Sequence, residues 1–238
     1  AHSNLAASLQ SQGELEEAQT HYRKALAIKP DYIEALNNLG GVLREIGELD
    51  EAAVSYRKAL SIKPDYANAL NGLGLTLQDM AKQGEATQCF EEALAIKPDF
   101  VEALSNLGAT LQSLGKLDEA VASCRKALSI NPAFAEAHNN LGICLKEQGL
   151  FDDAVVSYQT ALSIKPDYYQ ALNNLGSALQ ELARLDDAVS CYHKALSIKP
   201  DYASAHSNLG AALHAQGKLD ESVASARKAL AIDPQSAE

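Results

Sequence analysis

Apolar and small residues recur along this chain in a helical rhythm that restarts every 34 residues. In the stretch 33–66, Ala35, Leu36, Leu39 and Leu43 have the spacings that place side chains on one face of a helix. The second half of the stretch carries another set of apolar residues with the same spacing. Each 34-residue period therefore predicts two amphipathic helices.

Glycine, acidic residues and proline mark where these helices should begin and end. With Ile33–Tyr66 numbered as positions 1–34 of the repeat, Gly47 is predicted to end the first helix in a left-handed conformation, and Asp50 to cap the second. The Asp31–Glu34 pair has the spacing of a capping box for the first helix, and Gly40 is predicted to face Ala52 across the helix pair. All 7 prolines fall 34 residues apart, at Pro30, Pro64, Pro98, Pro132, Pro166, Pro200 and Pro234.

The sequence therefore predicts a single array over residues 1–238, built from seven helix–turn–helix repeats. Because the first repeat lacks its first two positions, we expect the chain to be a fragment of a larger protein. The approximate bounds of the repeats are 1–32, 33–66, 67–100, 101–134, 135–168, 169–202 and 203–236.

Six positions of the repeat carry its most regular residues: 7, 8, 20, 24, 27 and 32. In the second repeat these are Leu39, Gly40, Ala52, Tyr56, Ala59 and Pro64. The pattern resembles the tetratricopeptide repeat family over the whole chain. That resemblance implies an all-α, right-handed superhelical solenoid whose first helices line a concave groove, normally used to bind other proteins.

Two repeats depart from the pattern. The third has Ala81 in place of the turn glycine and Gly84 in place of the capping aspartate, so we expect a mobile turn or an altered angle between its helices. The seventh has Ala226 where most repeats have an aromatic residue, and Gln235–Ser236 where Asp-Tyr would lead onward. Either the array ends there or a different element packs on this end, and bare end faces of this kind tend to stack on another molecule.

Asparagine recurs at position 6, on the side of the first helix opposite its apolar face. Asparagine inside a helix costs several tenths of a kcal/mol relative to alanine, so its repetition needs a reason. We name this set the asparagine ladder; it consists of Asn4, Asn38, Asn106, Asn140, Asn174 and Asn208, and Gly72 interrupts it. A carboxamide both donates and accepts, so the ladder is predicted to hold the backbone of an extended peptide. The alternatives are that these asparagines make structural hydrogen bonds, such as caps on loops of neighbouring repeats, or only solvate this face of the helix.

The asparagine ladder resembles the arrays that precede the catalytic region of protein O-GlcNAc transferases and also occurs in bacterial tetratricopeptide proteins. The string AHSNLG at 205–210 is similar in wording to those arrays. Three functions stay open at this point: a module that binds an extended peptide or partner segment, the substrate-selecting arm of a protein O-glycosyltransferase whose catalytic domain lies outside this sequence, and a scaffold that assembles end to end.

Composition argues against several other classes of protein. The net charge of -11 is unsuited to nucleic acid, and no apolar run is long enough to cross a membrane. The 4 cysteines show no metal-ligand spacing and indicate a reducing compartment, so we expect a cytoplasmic location. His2, His138 and His206, all at position 4, are interpreted as packing residues. We predict no catalytic residues, no cofactor and no metal, and therefore no enzyme.

Cations are scarce on the predicted groove. Positions 2 and 5 carry no lysine or arginine, and only Arg44 and Lys146, both at position 12, lie nearby. A carboxylate clamp of the kind used by chaperone-binding members of the family is therefore not predicted.

Overall fold

The computed structural model describes residues 1–234, and within that range it contains fourteen α-helices and no strand. In chain order they are α1 His2–Ser11, α2 Leu15–Ile28, α3 Ile33–Ile46, α4 Leu49–Ile62, α5 Ala67–Asp79, α6 Gln83–Ile96, α7 Val101–Ser113, α8 Leu117–Ile130, α9 Ala135–Glu147, α10 Phe151–Ile164, α11 Tyr169–Glu181, α12 Leu185–Ile198, α13 Ala203–Ala215 and α14 Leu219–Ile232. Two helices fall in each predicted repeat. The prediction of an all-α solenoid of helix–turn–helix repeats is confirmed, whereas the extent of one array over 1–238 stays a prediction. The Gln235–Ser236 departure lies outside the described residues.

The helices form two compact units, which divide between Lys116 and Leu117. Within each unit, a first helix packs against two second helices, that of its own repeat and that of the preceding repeat. The backbones of successive first helices also approach one another closely, whereas successive second helices are joined through long side chains, as in the ion pair between Arg23 on α2 and Glu51 on α4 at 2.7 Å. The first helices thus form the inner, more closely spaced layer of each unit.

The turn between the two helices has the predicted left-handed residue. Gly47 has a φ of +94°, and the N–H of Glu48 donates to the carbonyl of Leu43 at 2.8 Å. Ala81 takes the same conformation in the third repeat, with a φ of 59° and a bond from Lys82 to Leu77 of 2.8 Å. The missing glycine has not changed the backbone conformation of this turn.

The predicted N-caps are wrong, although Gly47 ends α3 as predicted. Helix α4 begins one residue before Asp50, with Glu48 at the N-cap, and α3 begins after Tyr32; neither N-cap residue makes a side-chain hydrogen bond to the helix. Asp50 instead lies in the first turn of α4, where a carboxylate is stabilised by the positive end of the helix dipole. The acidic residues therefore mark the helix starts through charge and not through capping.

The glycine at position 8 makes room for an aromatic ring. A Cβ added to Gly40 would lie 2.8 Å from Cε2 of Tyr56, and one added to Gly176 would lie 2.6 Å from Cε1 of Tyr192. The nearest atoms to such a Cβ on Gly40 belong to Tyr56, a contact that was not predicted, and the placement of Gly40 opposite Ala52 stays a prediction. This position sets the distance between the two helices of a repeat through the ring at position 24.

Candidate binding surface on the first helices

Most of the asparagine ladder lies half-buried on the first helices. Asn38 and Asn106 belong to the first unit, together with Asn4, which is exposed on α1. The second unit carries a half-buried residue on each of α9, α11 and α13, namely Asn140, Asn174 and Asn208. The ladder thus consists of two rows, one in each unit.

Hydrogen bonds join the ladder to the preceding repeat. The Nδ2 of Asn174 donates to Oδ1 of Asn139 at 3.0 Å, and Asn208 donates to Asn173 in the same way at 3.0 Å. In the first unit, Asn106 donates to Asn71 at 3.0 Å. A carboxamide has two N–H groups and an acceptor oxygen, so one such bond leaves it further capacity. The ladder residues are therefore parts of the inter-repeat joint, whatever else they bind.

Asn139 and Asn173, at position 5 of the second unit, do not line an open surface. Asn139 is only 5% exposed and Asn173 6%, because both are turned into the joint to accept from position 6 of the next repeat. This pairing was not predicted from the sequence. The sequence does show frequent asparagine at both positions 5 and 6. An acceptor amide at position 5 is therefore followed 35 residues later by a donor amide at position 6 of the next repeat.

The ring of Tyr56 occupies the space that the missing side chain of Gly72 leaves in the ladder. A Cβ at this residue would lie 2.5 Å from Cζ and 2.7 Å from the hydroxyl oxygen of Tyr56, whose ring extends from α4 across both neighbouring first helices. Without an asparagine at position 6, Asn37 loses the donor that position 5 has elsewhere. Its Oδ1 is buried and lacks a hydrogen-bond partner among residues 1–234, while its Nδ2 donates to Asn38 at 3.1 Å.

The tyrosine hydroxyls at position 24 depend on the residue at position 12. Tyr192 donates to Oε1 of Gln180 at 3.2 Å, and Tyr22 has the corresponding contact with Gln10 at 3.4 Å. Tyr158 has Lys146 at position 12, and its buried hydroxyl has no hydrogen-bond partner in the described part of the chain. Burial raises the pKa of Tyr158 well above its usual range. The hydroxyl is therefore a neutral donor without an acceptor.

The two cations at position 12 have different surroundings. Nε of Arg44 donates to a carboxylate oxygen of Asp79 at 2.8 Å, an ion pair between neighbouring first helices. Nζ of Lys146 donates instead to the hydroxyl of Ser177 at 3.1 Å, and Lys146 takes part in no ion pair within residues 1–234. Lys146 is half-buried. Its charge is consequently uncompensated at close range.

The histidines at position 4 make local contacts. Nε2 of His206 lies 2.9 Å from the carbonyl oxygen of Pro200, and His138 makes the same contact with Pro132 at 2.9 Å. His2 lies against His21, with 2.9 Å between their Nδ1 atoms. Among residues 1–234, no group of three or more His, Cys, Asp or Glu side chains is arranged to hold a metal ion.

All four cysteines are free thiols. Burial raises the pKa of Cys89 to about 11, so its thiol is protonated near neutrality. Cys124 and Cys144 are fully buried. None of the helices within residues 1–234 is both long and apolar enough to cross a bilayer.

The helix pairs, their repeated contacts and the periodic side chains define a helical-repeat protein. Models of the tetratricopeptide repeat match residues 1–65, 67–97, 101–134, 135–168 and 203–236, and a model described as TPR repeat matches 184–217. The chain belongs to the tetratricopeptide repeat family. Its fold is therefore that of a protein-interaction module.

Solved structures agree with this assignment. A chain in the crystal structure of the APC/C hetero-tetramer Cut9–Hcn1 is similar over 96% of this chain and 45% of its own, with a TM-score of 0.88 and 18% identity. A tetratricopeptide repeat protein from Parabacteroides merdae is similar over 98% of this chain and 92% of its own, with a TM-score of 0.77 and 20% identity. At these identities the likeness shows the fold alone.

A third structure, YrrB, is described as a TPR protein with an unusual peptide-binding site. The sequence of YrrB is 26% identical to this one, and the match covers 82% of this chain and 97% of the YrrB chain with a TM-score of 0.58. No curated protein sequence matches this chain.

Proposed function

We propose that this chain binds an extended peptide or partner segment along its first helices, through the asparagine ladder, without catalysing a reaction. The observation that carries the proposal is the ladder itself: half-buried carboxamides recur on successive first helices and are oriented by a bond to the preceding repeat. Fixed amides cost little to organise when a ligand arrives. The YrrB structure, described by its peptide-binding site, supports this function for the fold.

Recognition by amides alone gives modest affinity. A net hydrogen bond contributes about 0.5–1.5 kcal/mol, so loss of three should weaken binding by about 2–4 kcal/mol. A loss of this size raises the dissociation constant by roughly tenfold or more. We therefore expect peptides held in the micromolar range or more weakly.

The experiment uses the row of the second unit. A displayed library of random unstructured peptides is selected on the unmodified chain, and one selected peptide is measured by fluorescence polarisation. The combined variant Asn140→Ala, Asn174→Ala, Asn208→Ala should lose this binding while its far-UV circular dichroism stays unchanged. Retention of full affinity in that variant would refute the proposal.

A matched control separates recognition from joint stability. Asn139→Ser with Asn173→Ser changes the acceptors that hold Asn174 and Asn208, and serine already occupies position 5 at Ser105. This control leaves every ladder amide in place, so we expect it to bind nearly as well as the unmodified chain. Equal loss in both variants would mean that the ladder acts only through the joint.

A second candidate, self-association, is favoured by the last repeat. At position 21, Val223 on α14 is 50% exposed, whereas Val155 of an internal repeat is 6% exposed. Leu230 on the same helix and Leu5 on α1 are also exposed. We propose that a second copy covers these faces by repeating the internal helix contacts. Sedimentation velocity should then show concentration-dependent dimers that Val223→Glu abolishes; a monomer at every concentration would end this proposal.

A further inference from the structure

We propose that the second unit contains a subsite for an acidic side chain, formed by Lys146 on α9 and Ser177 on α11. The inference rests on the proposed peptide-binding function and adds a preference for aspartate or glutamate at one place in the bound segment. It identifies a specificity-determining cation on a surface otherwise dominated by neutral amides.

The first argument is the difference between two cations at the same position of the repeat. Arg44 is neutralised by Asp79, which occupies position 13 of the following repeat. The equivalent residue for Lys146 is Glu181, yet Lys146 forms no ion pair with it and donates to the hydroxyl of Ser177 at 3.1 Å. A half-buried ammonium with only a neutral partner is better satisfied by a carboxylate.

The second argument is the buried hydroxyl of Tyr158. In the first and sixth repeats, the glutamine at position 12 accepts the tyrosine proton, through Gln10 and Gln180. Lysine at position 12 offers no acceptor, so Tyr158 is fully buried with an unpartnered hydroxyl. Tyr158 is thus a donor without an acceptor, while Lys146 has only the neutral hydroxyl of Ser177 as its acceptor. A charged donor with a neutral acceptor favours a carboxylate as a further partner.

The net charge of the chain means that a preference for an acidic residue can arise only from a local interaction. At a net charge of -11, the chain repels acidic peptides at long range. An acidic residue enriched at one fixed place in bound peptides must therefore result from a local interaction. The ladder amides are indifferent to side-chain identity, so the preference should map to Lys146 alone.

The experiment is selection of the random displayed peptides on three chains: unmodified, Lys146→Gln and Arg44→Gln. Lys146→Gln installs the residue found at Gln10 and Gln180 and gives Tyr158 an acceptor, so it should fold at least as well as the unmodified chain. Peptides from the unmodified chain and from Arg44→Gln should share one acidic residue in a fixed register. Peptides from Lys146→Gln should lack it.

Affinities then test the pair directly. For a selected peptide, changing its acidic residue to the corresponding amide should weaken binding to the unmodified chain by about tenfold, a typical effect for a charge-assisted bond. The same peptide change should have no effect on Lys146→Gln. An acidic preference that persists in Lys146→Gln, or its absence from the unmodified chain, would overturn the subsite.

The outcome is distinguishable from failure of the ladder. If the three-asparagine variant binds normally while Lys146→Gln loses the acidic preference, the ladder is refuted and the subsite stands. If the three-asparagine variant loses binding and no acidic preference exists in the unmodified chain, the subsite is refuted and the ladder stands.

Discussion

Replacing Gly176 by alanine tests how tightly the ring at position 24 fixes the helix pair. The added Cβ would lie 2.6 Å from Cε1 and 2.9 Å from Cζ of Tyr192, a fully buried ring. Overpacking of this kind costs about 1–3 kcal/mol, whereas alanine in place of glycine inside a helix gains about 1 kcal/mol. We expect a net loss of stability of about 1 kcal/mol.

Gly210→Ala is the matched control in the same unit. Its repeat has Ala226 at position 24, so the nearest atoms to the added Cβ are the carbonyl oxygen of Ser222 at 3.3 Å and the backbone nitrogen of Ala226 at 3.5 Å. With no ring to displace, the helical gain should dominate and raise stability by about 0.5–1 kcal/mol. The two variants should therefore differ by about 1.5–2 kcal/mol.

Urea titrations followed by far-UV circular dichroism measure this difference. Because long repeat arrays lose two-state cooperativity, midpoints should be compared only where the transition slopes agree. The first repeat shows that alanine is compatible with the fold, since Ala6 occupies position 8 opposite Tyr22. A Gly176→Ala midpoint equal to or above that of Gly210→Ala would refute the packing argument.

Three further predictions follow from buried tyrosines and thiols. Tyr192→Phe removes the bond to Gln180 and should lower the unfolding free energy by about 0.5–1.5 kcal/mol; Tyr158→Phe should be neutral or stabilising, and equal losses in thermal melts would contradict this. Burial raises the pKa of Tyr56 to about 12, above its unfolded value near 10, so its neutral form stabilises the fold below pH 10 and that contribution is lost as pH rises from about 10 to 12. Urea midpoints measured over this range should fall less steeply in Tyr56→Phe than in the unmodified chain, and equal slopes would count against it. A thiol reagent should label half-buried Cys89 slowly in the native chain and reach fully buried Cys124 only after unfolding; rapid labelling of Cys124 would show that its burial is wrong.

The helices could be predicted from the sequence because their periodic apolar faces and turn glycines act locally. N-caps were harder: Asp50 has the right chemistry for an N-cap, yet it lies in the first turn of α4 and Glu48 takes the N-cap position. The contact of the Tyr56 ring with Gly40 was not predicted from the sequence. Sequence spacing shows which face a residue shares, whereas the reach of the Tyr56 ring across the helix pair depends on its side-chain conformation.

The candidate surface could likewise be predicted only in part from the sequence. The residues of the asparagine ladder could be identified from the sequence, because they repeat at one position. Their bonds to position 5 of the preceding repeat were not predicted, since they depend on the offset between adjacent first helices. The different pairing of Arg44 and Lys146 could not be predicted from the sequence either. Both are followed 35 residues later by an acidic residue, and only Arg44 pairs with it.

Ala81 and Ala183 have consequences for how this chain can change. Their φ angles of 59° and 56° are unfavourable for an L-residue by roughly 1 kcal/mol. Both turns still keep the 2.8 Å bond found after Gly47. The packed helices impose the turn, and the residue adapts to it. We therefore expect these exposed turns to be open to sequence drift and to inserted segments, so that new loops could be grafted between the helices without rebuilding either layer.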